Sequence, residues 1–226
     1  YLVEGYINTH NYDVALQSIN KIKTPSSEIL KAKQKILYRL GVQEFINGDM
    51  SGAISFMDKS IELARYGQAT HSDALYWKAE ALYRKGDYRN AANCYRMSIM
   101  KGGSNNNRAH YGIGYSQFQQ KKYSEARKEF VQFVNNSSGE EKEVVADALN
   151  RIADCYFYQR DYNTADQYYK LSASTDRSAS DYALYRSALA LGLSNDYAGK
   201  IATLNSMIEK YPNSVYTEQA YYEIGR

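Results

Sequence analysis

Short polar turns followed by an aromatic or large apolar residue, and then by a small residue three later, recur along the chain. Tyr12 with Ala15, Met50 with Ala53, Tyr88 with Ala91, Tyr123 with Ala126 and Tyr162 with Ala165 follow this order. Tyr197 continues the series, with Lys200 in the small column. The turn positions 12, 50, 88, 123, 162 and 197 lie about 37 residues apart. Four residues after each small position stands a large one: Ile19, Met57, Tyr95, Phe130, Tyr169 and Leu204. Upstream, nine before the turn, lies a second small column of Gly41, Ala79, Gly114, Ala153 and Ala188. Ala74, Ala109, Ala148 and Ala183 precede its last four members by five residues.

Apolar and small residues at three- and four-residue spacing predict helices, and two per period predict helical hairpins. The expected spans are 27–47, 50–65, 71–85, 88–101, 105–120, 123–136, 140–159, 162–173, 178–193 and 197–211. With the helix that follows the Tyr12 turn and a partial helix at each end, the count comes to about thirteen. Tyr1 to Ile7 reads as the back half of a first helix, and Ala220 to Arg226 as the front half of another. Neither end carries a polar cap, so the chain reads as a stretch of a longer array. Asp49, Asp87, Asp161 and Asp196 stand where second helices start and can cap open N–H groups. Ser138 and Glu141 have capping-box spacing at another start. Small residues let helix backbones approach, and the large residue four later fills the gap beside them. One hairpin cannot bury its apolar faces alone, whereas stacked copies can.

These columns resemble the tetratricopeptide repeat. Leu40-Gly41, Ile113-Gly114, Ile152-Ala153 and Ile224-Gly225 match its central pair. Ala91 with Tyr95, Ala126 with Phe130 and Ala165 with Tyr169 match its second helix, and Pro212 its terminal proline. The resemblance implies an all-α, right-handed superhelix of five full and two partial repeats. All of 1–226 then reads as a single solenoid, with repeats near 1–26, 27–70, 71–104, 105–139, 140–177, 178–213 and 214–226. Lys200 in a small-residue column predicts loose packing there. The final Tyr211-Pro212 repeat is similar to repeats of bacterial envelope proteins. Outer-membrane assembly lipoproteins and partners of the Tol–Pal system are of this kind. This implies a periplasmic or outer-membrane-associated place in a Gram-negative bacterium.

Composition agrees with helices and narrows the function. The 226 residues include 24 Tyr and only 2 Pro, and 44% are hydrophobic, enough for a core. A net charge of +3 is too balanced for a dedicated nucleic-acid binder. No apolar run approaches a membrane span. Two cysteines, Cys94 and Cys155, fall two repeats apart, beyond disulfide reach, and read as buried free thiols. His10, His71 and His110 lie in different repeats; the first two read as solvated turn or helix-start residues. No Gly-rich phosphate loop, His-Glu-x-x-His or nucleophile elbow is present. The chain reads as non-catalytic, with no cofactor and no metal.

In the resembled family the first helices line a concave groove. Three before the small column stand Tyr38, Tyr76, Tyr111, Asn150, Tyr185 and Tyr222. Four after it stand Phe45, Tyr83, Phe118, Phe157 and Gly192. Seven residues apart, the two series share a helix face. They predict an aromatic row with the five tyrosines of the first series each partly exposed. Tyr38, Tyr76, Tyr83, Tyr111, Phe118, Tyr185 and Tyr222, with Arg108 beside them, are the expected contacts for a protein or peptide segment. Tyr stands where a carboxylate clamp has Lys, and Glu80, Tyr115 and Asp154 where it has Asn, which disfavours that function. A sugar platform around Tyr111, Arg108 and Asp147 is one alternative. A regulatory region of a larger enzyme is the other.

Overall fold

In a computed structural model, residues 11–139 and 141–226 are described. The expected Tyr1–Ile7 helix and His10 therefore lie outside the described residues. Twelve α-helices and no strand occur among the described residues. The chain divides into two compact units at Gln120/Lys121. The division falls inside the 105–139 repeat. The first unit holds α1 (Tyr12–Asn20), α2 (Ser27–Ile46), α3 (Met50–Glu62), α4 (Gln68–Arg84), α5 (Tyr88–Lys101) and α6 (Asn106–Gln119). The second holds α7 (Tyr123–Asn136), α8 (Lys142–Tyr158), α9 (Tyr162–Thr175), α10 (Ser180–Leu193), α11 (Tyr197–Lys210) and α12 (Thr217–Gly225). The expected spans are met within about three residues at each end.

Within each unit, neighbouring helices pack as the two small columns require. Ala53, Ala91, Ala126, Ala153, Ala165 and Ala188 are fully enclosed, as are Met57, Tyr95, Phe130, Tyr169 and Leu204. A Cβ on Gly41 would sit 2.8 Å from the terminal methyl of Met57, so a larger residue there would need that flexible side chain to shift. The aspartate caps form as expected. Asp49 accepts from the N–H groups of Ser51 and Gly52, Asp87 from Asn90, Asp161 from Thr164 and Asp196 from Gly199. The expected capping box at Ser138 does not form; Glu141 precedes α8 and the helix has no side-chain cap.

A third column escapes the apolar pattern. Ser60, Ser98 and Ser172 follow the large second-helix residue by three and are buried. Each donates across the hairpin to a first-helix carbonyl: Gln34 at 3.0 Å, Ser72 at 2.9 Å and Ala146 at 2.7 Å. Such bonds satisfy a hydroxyl the packing encloses and fix the height of one helix against the next.

The repeat around Lys200 packs differently from the others, beside a cavity of about 440 Å³ lined by Gly192, Tyr197, Lys200 and Glu223. The column that carries Phe45, Tyr83 and Phe157 elsewhere carries Gly192 here. The Lys200 stem occupies the space: a Cβ on Gly192 would meet its Cδ at 2.9 Å. Its ammonium lies 2.6 Å from Glu223 of α12, with both side chains largely buried. The large and small residues have changed places, and the charge brought in with the lysine is neutralised by the next helix.

Candidate functional site

The aromatic residues that α2, α4 and α6 contribute to the first unit lie in separate surroundings. Tyr38 on α2 is half-buried and lines a cavity of about 250 Å³ with Tyr12, Lys35, Arg39, Thr70 and Asp73. The Arg39 guanidinium lies 5.7 Å from the Tyr38 ring centroid. Burial, and then the Asp73 carboxylate, hold the Tyr38 hydroxyl above its ordinary range.

Tyr76 departs from the expected row. It is 9% exposed, edge-on to Tyr95 at 5.7 Å and to Trp77 at 5.9 Å. Trp77 and the second-helix Tyr95 close over it, so it belongs to the core of its hairpin. Phe45 is likewise buried, edge-on to Trp77 at 5.1 Å.

Tyr83 and Tyr111 converge instead on Tyr115, at 6.3 and 4.9 Å between centroids and steeply tilted. With Glu80, Tyr95 and Gly112 these three rings line a cavity of about 230 Å³. The Tyr95 hydroxyl donates to Glu80 at 2.6 Å. Burial, and then Glu80, push the Tyr95 and Tyr76 hydroxyls well above their ordinary range. In the sequence Tyr115 stands only at a carboxylate-clamp position, because it follows the small column directly, a place the two aromatic series do not include. Arg108 is exposed and Phe118 partly buried, both on α6.

In the second unit Tyr185 is half-covered by Tyr216, stacked at 5.2 Å with planes 13° apart. Tyr222 on α12 is 69% exposed. Asn150, which interrupts the tyrosine series, is buried. Below this face lies an ionic network. Asp154, enclosed in α8, accepts from the hydroxyls of Tyr169 at 2.5 Å and Tyr182 at 2.8 Å. Arg151 lies 2.8 Å and Arg186 3.3 Å from the same carboxylate. The expected site residues thus fall into separate groups, around Tyr38, around Tyr83 and Tyr111, around Tyr185, and at Tyr222.

His71 corrects the solvated reading. It lies within α4, 8% exposed, and burial followed by the Lys101 charge lowers its pKa. No group of three metal-ligating side chains occurs among the described residues, and none of their helices is long and apolar enough to cross a membrane. Cys94 and Cys155 are free and buried. Burial, and then Asp154, push the Cys155 thiol up to about 12. Because the thiolate is the nucleophile, both thiols should react slowly with a disulfide reagent in native protein at pH 8, Cys155 the slower. Two should react at once after denaturation. Rapid native reaction of Cys155 would contradict this burial.

Residues 47–133 match the family model described as anaphase-promoting complex, cyclosome, subunit 3. Residues 146–178 and 182–214 each match a model of the tetratricopeptide repeat. No curated protein matches the chain. Among solved structures, a MamA protein is similar with a TM-score of 0.70 at 16% identity, over 80% of this chain and 92% of that one. YrrB, described as a TPR protein with an unusual peptide-binding site, is similar at 0.68 and 15% identity, over 83% and 91%. PilF of Pseudomonas aeruginosa is similar at 0.62 and 18% identity, over 98% and 94%. At these identities the likeness is one of fold.

Proposed function

Because the chain is a tetratricopeptide-repeat protein, we propose that it is a non-catalytic scaffold that holds a peptide or protein segment against the tyrosine-rich faces of its first helices. The observation that carries this is the exposure of those faces. Tyr38, Tyr111 and Tyr185 remain partly exposed and Tyr222 largely exposed, while the second-helix Tyr95 and Tyr169 are enclosed. Tyrosine suits such a surface, with a large rigid ring and a hydroxyl that tolerates water, and it is enriched at interaction hot spots. The peptide-binding description of YrrB favours the same class of ligand. The tilt of Tyr111 against Tyr115, 73° between planes, favours a peptide over a sugar, which needs a flat ring presented face-on. The Tyr211-Pro212 repeat supports a cell-envelope location, which fractionation of producing cells would test.

Panning a displayed random-peptide library on the chain tests the scaffold. Recovered peptides should slow hydrogen exchange in α2, α4, α6, α10 or α12. Recovery of no peptide, or protection confined to the outer faces of α3, α5, α9 and α11, would overturn the proposal.

A further inference from the structure

The repeats supply their own comparison for the Glu80 cavity. Glu80 and Asp154 both follow the small residue of a first helix, and each accepts from a tyrosine fifteen residues later, Tyr95 or Tyr169. Tyr83 and Phe157 occupy the position four after the small residue. In the second unit a fourth group completes the cluster. Arg186, two before the small Ala188, lies with its guanidinium carbon 4.1 Å from the Phe157 ring centroid and 5.9 Å from that of Tyr169. Its Nε donates to the Tyr169 hydroxyl at 3.1 Å, and Nη2 lies 3.3 Å from Asp154. The matching residue in the first unit, two before Gly114, is Gly112.

Gly112 has no side chain to offer, and a Cβ there would already meet the Tyr95 ring at 2.4 Å. The cavity of about 230 Å³ beside it is lined by one carboxylate and four tyrosines, with no lysine or arginine among the lining residues. The exposed Arg108 lies one turn earlier on α6, where the second unit has Tyr182; its charge reaches Tyr76. A planar guanidinium matches a carboxylate in a fork and stacks on aromatic faces, which an ammonium does less well.

We propose that the cavity formed by Glu80, Tyr83, Tyr95 and Tyr115 takes an arginine side chain of the bound segment, the part that Arg186 plays from within the chain in the second unit. This rests on the scaffold reading for the source of the arginine, and on the cavity alone for its chemistry.

The test uses N-acetyl-arginine amide, with the citrulline and lysine amides as controls, titrated into the chain carrying ¹³C-labelled tyrosine rings. Arginine amide should shift the Tyr83, Tyr95 and Tyr115 resonances saturably, and neutral citrulline amide should not. Glu80→Gln keeps an acceptor for Tyr95 and should weaken arginine binding at least tenfold with its melting temperature held. Tyr115→Leu provides a second variant should Glu80→Gln melt early. Equal response to citrulline or lysine, or unchanged affinity in a folded Glu80→Gln chain, would overturn the assignment. Panned peptides separate this from the scaffold: peptides that bind without arginine enrichment defeat the arginine pocket alone. Arginine-amide binding with no peptide recovered defeats the scaffold alone.

Discussion

Asp154→Ala is expected to destabilise the second unit by about 3–5 kcal/mol, the usual cost of removing one partner from a buried ion pair. The carboxylate is 1% exposed and gathers two guanidinium groups and two tyrosine hydroxyls from α8, α9 and α10. Without it, Arg151 and Arg186 keep their charge in a poorly hydrated place and the hydroxyls of Tyr169 and Tyr182 lose their acceptor. A domain is stable by only about 5–15 kcal/mol, so the second unit should lose much of its margin. Asp154→Asn keeps an acceptor and the shape and should cost less than the alanine. Urea melts followed by hydrogen exchange in α8–α10 would measure both. Loss below about 1 kcal/mol would mean that water reaches the network. The network also sets an alkaline response. Burial first, and then Asp154, raise the Tyr169 and Tyr182 hydroxyls above the free value near 10. Raised folded values mean that this stability is complete below about pH 10 and declines as pH rises further. The alanine variant should show a shallower decline.

Replacing Tyr83 and Tyr111 together by alanine should weaken a peptide recovered by panning about a hundredfold. Each hot-spot ring is worth roughly 1–2 kcal/mol, and two such losses amount to about two decades in affinity. The two rings meet at Tyr115, so the substitution opens one contiguous patch. Edge-to-face contacts of this kind contribute about 0.5–1.5 kcal/mol beyond the area they bury, and Tyr83 also packs on Tyr88 and the core, so affinity is compared at a temperature where the variant is folded. Tyr76→Ala is the contrast. It empties an enclosed position at a cost of about 3–5 kcal/mol and should act on stability first. Fluorescence polarisation with parallel thermal melts distinguishes the two. An unchanged affinity in the Tyr83/Tyr111 variant would remove these rings from the binding face.

Helix identity and packing were legible because each rests on residues a few positions apart. Ala91 with Tyr95 and Ala165 with Tyr169 announce a close helix contact on their own, and Asp87 or Asp161 announces its start. The binding face was only half legible. Spacing placed Tyr38, Tyr76, Tyr111, Tyr185 and Tyr222 in one series, but exposure depends on what the neighbouring helix sends across. Trp77 and Tyr95 bury Tyr76, while Tyr216 half-covers Tyr185. The polar interior was the least legible. Asp154 resembles a surface residue until Arg186, thirty-two positions later, is seen to meet it. The serines at 60, 98 and 172 carry a repeat signal that an apolar pattern ignores, although their spacing could have revealed it.

The exchange at Gly192 and Lys200 constrains how such a chain can change over time. Elsewhere the same contact pairs an aromatic ring with alanine, as in Phe45 with Ala53 and Phe157 with Ala165. Passing from that arrangement to glycine with lysine takes two replacements, and neither half-way state is comfortable. An aromatic facing lysine is overfilled, and glycine facing alanine is hollow. Glu223 must also be in place before the ammonium is enclosed, which makes three positions, on three helices, that can only drift as a set. Ancestors and descendants of this repeat should therefore be recognised by the trio changing together, and a repeat transplanted without its downstream neighbour would inherit an unbalanced charge.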